Sequence, residues 1–104
     1  MSNPKELHEV LKMVKSLARL LHYRVKDLFE ISADVKTGSV EACGSDMEYH
    51  KFNESEVVSQ AKAIGEWLDQ NGYQVERLYC MVNNETEESI FVNDNKLFVF
   101  ELRL

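Results

Sequence analysis

The sequence predicts an α+β domain, with two amphipathic helices packed on one face of a mainly antiparallel five- or six-stranded sheet. Three observations lead there. Two long stretches carry apolar residues at i, i+3, i+4 and i+7, the spacing of a helix with one buried side. Five or six shorter stretches alternate apolar and polar residues, the period of a half-buried strand. The resulting order, α-β-β-(β)-α-β-β-β, joins neighbouring strands by short turns, and strands so joined are antiparallel. The 104 residues suit one domain, 1–104.

Leu7, Val10, Leu11, Val14, Leu17, Ala18 and Leu21 define the first helix through four turns. Ser2 or Asn3 can cap it, Pro4 suits its first position, and Glu6 favours the positive end of its dipole. His8, Lys12, Lys15, Arg19 and His22 fall on one flank of the apolar face, and Met13 and Leu20 on the other. From residue 28 the period becomes two. Phe29, Ile31, Ala33 and Val35 alternate with Glu30, Ser32 and Asp34, "KTGS" (36–39) turns the chain, and Val40 and Ala42 resume the alternation. "MEYHKF" (47–52) reads as a third strand, with Met47 and Tyr49 on one face and Phe52 on the other.

"NESE" (53–56) opens the second helix, with Asn53 as its cap and Glu56 three residues on. Val57, Ala61, Ile64 and Leu68 form its inner face, widened by Val58 and Trp67, and Gly72 ends it. The rest is strand. "YQVERLYCMV" (73–82) alternates, "NNETEE" (83–88) is an acidic loop, and "SIFV" (89–92), "NDN" (93–95) and "KLFVFELRL" (96–104) form a hairpin. In the last strand Phe98, Phe100, Leu102 and Leu104 share one face; Leu97, Val99, Glu101 and Arg103 share the other. A strand this apolar is expected in the middle of a sheet, or else at an edge closed by a second chain, because a long apolar edge is an aggregation template; the central position is favoured.

Composition narrows the class. An apolar share of 44% with 29% charged residues excludes a disordered chain. No apolar run approaches the roughly 20 residues that cross a bilayer, and the start "MSNPKELHEV" has no signal-like apolar stretch, so the expected location is cytoplasmic, without membrane attachment. In that compartment Cys43 and Cys80 are expected as buried free thiols. The net charge of −6 is uneven. Residues 1–26 carry six bases and two acids, whereas the other 78 carry six bases and sixteen acids.

No assembled catalytic motif is present, and the protein is expected not to be an enzyme. His8 and His22 lie 14 positions apart on one helix, roughly 21 Å, too far to share an ion. Cys43, Asp46, Glu48 and His50 are close in sequence but match no zinc spacing, so no metal and no cofactor is expected. Cys43 with His50 is a weak nucleophile–base pair. Gly38, Gly44, Gly65 and Gly72 are scattered singly, which excludes a phosphate-cradling loop.

The expectation is a small acidic regulatory or inhibitory protein that binds another protein, in an inhibitor, toxin-neutralising or chaperone-like role. Asp46, Glu48, Glu85, Glu87 and Glu88 would face a basic partner such as a nuclease or DNA-binding protein. The alternative is nucleic-acid binding through His8, Lys12, Lys15, Arg19 and His22. The element order α-β-β-β-α resembles that of double-stranded-RNA-binding domains. Those domains place lysines at the start of the second helix, where this chain has "NESE". A small enzyme with an unrecognised site is a further alternative, and a homodimer is compatible with all of these.

Overall fold

The computed structural model describes residues 4–93 and 97–104. The elements are α1 (Pro4–His22), β1 (Glu30–Asp34), β2 (Ser39–Cys43), β3 (His50–Phe52), α2 (Ser55–Gln70), β4 (Arg77–Val82), β5 (Ser89–Asn93) and β6 (Leu97–Leu102). They build one six-stranded sheet of order β3-β2-β1-β4-β6-β5. All neighbours are antiparallel except β4 and β6, which run parallel from Arg77↔Leu97 to Val82↔Leu102. The parallel pair arises because the chain leaves β4, skips one strand width, makes β5 on the outside and returns as β6 between them.

Both helices cover the same face. Val10, Val14, Leu17, Ala18 and Leu21 of α1 join Val57, Ala61, Ile64 and Leu68 of α2 in one buried cluster with Ile31, Ala33, Val40, Ala42, Leu78, Cys80, Phe98, Phe100 and Leu102 from the sheet. The helical and strand periodicities therefore converge on one interior. Where α2 crosses the end of β1, Gly65 presents its missing side chain to Val35: a Cβ there would lie 2.6 Å from the Val35 carbonyl oxygen. The glycine inside the helix costs helix propensity and gains close approach. At the far end Gly72 takes φ +84°, the left-handed conformation that closes α2.

Strand β6 is internal, hydrogen-bonded to β4 on one side and β5 on the other. Phe98, Phe100 and Leu102 are fully buried. Burial of each such side chain is worth about 1.5–3 kcal/mol. Leu104 departs from the expectation. The strand ends at Leu102, and Leu104 lies beyond it, 39% exposed, its N–H donating to Asn84 Oδ1.

Four local expectations are corrected. Only His50–Phe52 of the stretch 47–52 is strand. Met47 takes φ +62°, its N–H bonds the Gly44 carbonyl, and the Asp46 carboxylate accepts the Glu48 N–H, so the chain turns at 44–48 with a side chain's help. Asn53 is not the cap of α2; Glu54 holds that position in an extended conformation, without a side-chain hydrogen bond, because Phe52 stays in the sheet until it is buried. The strand expected at 73–82 is confined to 77–82. Tyr73 N–H bonds the Leu68 carbonyl and closes the helix, leaving 73–76 as a connection. Ser32, on the polar side of β1, is buried because the Arg77 guanidinium lies over it and donates to its hydroxyl at 2.7 Å. The possible caps Ser2 and Asn3, and residues 94 and 95 of the expected turn, lie outside the described residues.

Candidate functional site

With both helices on one side, no helix among the described residues covers the opposite face of the sheet. Strand registers place one residue of every strand in a row across it: Phe91, Val99, Tyr79, Ser32, Glu41 and Lys51. The row changes character midway. Its β5–β6–β4 half is apolar and its β1–β2–β3 half is polar. Met81 on β4 and Leu97 on β6 share the apolar half. Phe91 is 64% exposed and Met81 43% exposed. Large exposed apolar patches rimmed by polar residues are a common feature of interaction surfaces in general.

Acids stand at one end of this patch. Glu30, Met81 and Glu101 are partners in the next row, so two carboxylates flank the exposed methionine. The loop 83–88 passes beside them: Thr86 donates to Glu101 at 3.3 Å, and Asn83 N–H bonds the Leu102 carbonyl. Glu85 and Glu87 of this loop are exposed. At the opposite end of β4, Arg77 is held against Ser32.

The residues expected from sequence as two separate charged sites are partly brought together. Lys15, from the basic flank of α1, forms a half-buried ion pair with Glu88, from the acidic loop. The ammonium beside Glu88 holds its carboxyl below the usual carboxylate range. Lys12 stands 3.5 Å from Glu9, a weak exposed pair. His8, Arg19 and His22 are exposed along the same helix. The flank therefore answers acids of its own chain at Lys12 and Lys15.

Asp46, Glu48 and His50 lie apart from Glu85, Glu87 and Glu88, next to the other edge of the sheet. His50 Nε2 is 2.7 Å from Asp46 Oδ2, and this hydrogen bond, with the Glu48 N–H, holds the Asp46 carboxyl below its usual range. One ligand atom from each of Asp46, Glu48 and His50 can be chosen so that all three lie within 4.8 Å of one another. Exposed groups so spaced are also met without an ion, and the same residues serve the turn. Arg24, Lys26, Ser45, Asp46 and His50 line an open cleft of about 460 Å³ at the end of α1. It is wide to solvent and has no buried polar group aimed into it.

The thiols offer little chemistry. Cys43 and Cys80 are free and buried. Burial pushes both thiols up, away from the reactive thiolate. The Tyr49 hydroxyl hydrogen-bonds Glu30 and lies beside Cys43, which raises the phenol as well. Cys43 is thus closed off from His50, its expected base.

Sequence reasoning passed over Phe91, Tyr79 and Met81 as site residues. The signal was present in "SIFV", where both faces of a strand are apolar and only one can enter the core. No family model matches the chain, and the searches of curated proteins and of solved structures find no match either.

Proposed function

We propose that this protein is a non-enzymatic binding domain that regulates or inhibits a basic protein partner by docking it on the uncovered sheet face. The observation that carries the reading is the apolar patch of exposed Phe91 and Met81 with half-buried Val99 and Tyr79, bordered by Glu30 and Glu101, with Glu85 and Glu87 beside it. An apolar centre with a charged rim is the anatomy of a protein interface. The acidic rim and the net charge of −6 select a basic partner and speed its approach in a salt-dependent way. Nucleic-acid binding through α1 has less in its favour, since Lys15 is taken up by Glu88 and Lys12 faces Glu9. Catalysis is disfavoured by thiols held protonated and by the lack of a nucleophile beside a base among the described residues.

The test is affinity capture from the native host at low and high salt, with wild type, Met81→Lys, and the double variant Glu85→Lys/Glu87→Lys. All substituted side chains are exposed, so the fold should persist. Wild type should retain a basic protein at low salt that high salt releases. Met81→Lys should abolish retention, and the double variant should weaken it. Equal capture by all three proteins would refute the reading.

A further inference from the structure

Strand β5 ends the sheet. β6 pairs with it on one side, and among the described residues no strand lies on the other. Edge strands of stable monomers are commonly guarded by a charge, a proline or a bulge. Ser89–Asn93 has neither a charged residue nor a proline, and its register with β6 runs through all five residues without a bulge. Each flank of this edge presents an apolar side chain. On the uncovered face stands Phe91. On the helix side Leu7, Leu11 and Ile90 line a groove of about 240 Å³ between α1 and β5, with His8 and Glu88 at its margin. Exposed Glu85 and Glu87 lie just before the strand.

We propose that this edge receives an extended segment of the basic partner as a seventh strand. The inference rests on the function proposed above and states how the partner is held. The backbone of β5 presents N–H and C=O groups along its outer side to which no described strand pairs, and strand addition uses such groups for affinity. Specificity comes from alternation. Every second side chain of the incoming segment enters the groove at Leu7 and Leu11 and should be aliphatic. The intervening ones lie beside Phe91 and should be aliphatic or aromatic. A lysine or arginine at one end of the segment meets Glu85 and Glu87. A second copy of this chain is a poorer occupant. A five-residue edge is roughly 17 Å long, and with a shortest molecular dimension of 22 Å it offers roughly 400 Å². Stable protein interfaces use about 800 Å² per partner. A flexible segment can add further contacts across the patch, whereas a rigid copy meeting edge to edge cannot.

The probe is a random peptide library displayed on phage and selected against the intact protein, followed by synthesis of the enriched peptides. Enriched sequences should be apolar over about five positions, aliphatic at every second one and aliphatic or aromatic between, and end in lysine or arginine. Bound peptide should slow amide exchange in residues 89–93. Phe91→Lys should weaken binding roughly tenfold or more, and Glu85→Lys/Glu87→Lys should weaken it and remove its salt dependence, both variants keeping the wild-type melting temperature. A selection that enriches nothing, peptides that leave the β5 amides unchanged, or binding indifferent to both variants would overturn the proposal. So would a dimer in sedimentation with β5 amides already protected, which assigns the edge to a second copy. If the edge proposal alone is wrong, capture by wild type and its loss in Met81→Lys remain; if capture fails as well, the function reading falls with it.

Discussion

Lys15 and Glu88 come from the two halves of the chain's charge imbalance and meet in a half-buried ion pair. It ties α1 to the loop that precedes the edge strand. The Glu88 carboxyl is held below its usual range, so the folded protein releases this proton more readily than the unfolded chain. The stabilisation is therefore complete above the unfolded carboxylate value, about 4.3, and fades as pH falls through the lower folded value. Glu88→Gln should cost about 1 kcal/mol near neutral pH, and the difference from wild type should close in strong acid. Urea unfolding at neutral and acid pH measures both; an offset that persists unchanged in acid would mean that packing, not charge, carries the effect. The sequence disclosed the basic flank and the acidic loop separately, as lists of like charge. It could not disclose that they touch, because the two residues are 73 positions apart and no periodicity links them.

Among the elements, β6 supplies the two largest fully buried side chains among the described residues, Phe98 and Phe100. Phe98 meets the Tyr73 ring edge-on at 5.3 Å and lies 5.9 Å from Phe100, so the strand binds the core both by area and by ring contacts. Phe100→Ala should cost about 3–5 kcal/mol, a large part of the roughly 5–15 kcal/mol of a domain this size. Removal of residues 98–104 should abolish cooperative thermal unfolding by circular dichroism; a truncated chain that still melts sharply would contradict the central role of the strand. The internal position of β6 was readable from its two apolar faces. Its parallel partner was not, since alternation tells which side of a sheet a residue faces and nothing about the neighbouring strand. The short β3 was misjudged for a different reason. Met47 and Tyr49 look like strand residues, but the Asp46 carboxylate captures the following backbone and turns it.

At the scale of the whole molecule, the basic segment 1–26 is partly answered within the chain: Lys15 meets Glu88, and Arg24 approaches Glu54 at 3.7 Å. What remains outward is an acidic surface, and a gel shift with duplex DNA or RNA at physiological salt should stay blank. A salt-sensitive shift that Lys12→Ala/Arg19→Ala abolishes would restore the nucleic-acid reading. The fold class was legible because both helices and the strands β1, β2 and β4 keep one period each; the face proposed for docking was not, because a side chain that faces out and one that faces a partner look alike in a single sequence. One arrangement within the sheet reaches beyond binding. Cys80 shares a row with Ile31 on the helix side, whereas Cys43 pairs with Glu30 on the other side, with β1 between their strands. Strands two apart are separated by about 9.6 Å, beyond the roughly 7 Å that a disulfide can bridge. The two thiols cannot join without dismantling the sheet. An oxidising and a reducing solution should therefore meet the same fold, and the two cysteines give the chain no internal crosslink with which to sense the difference.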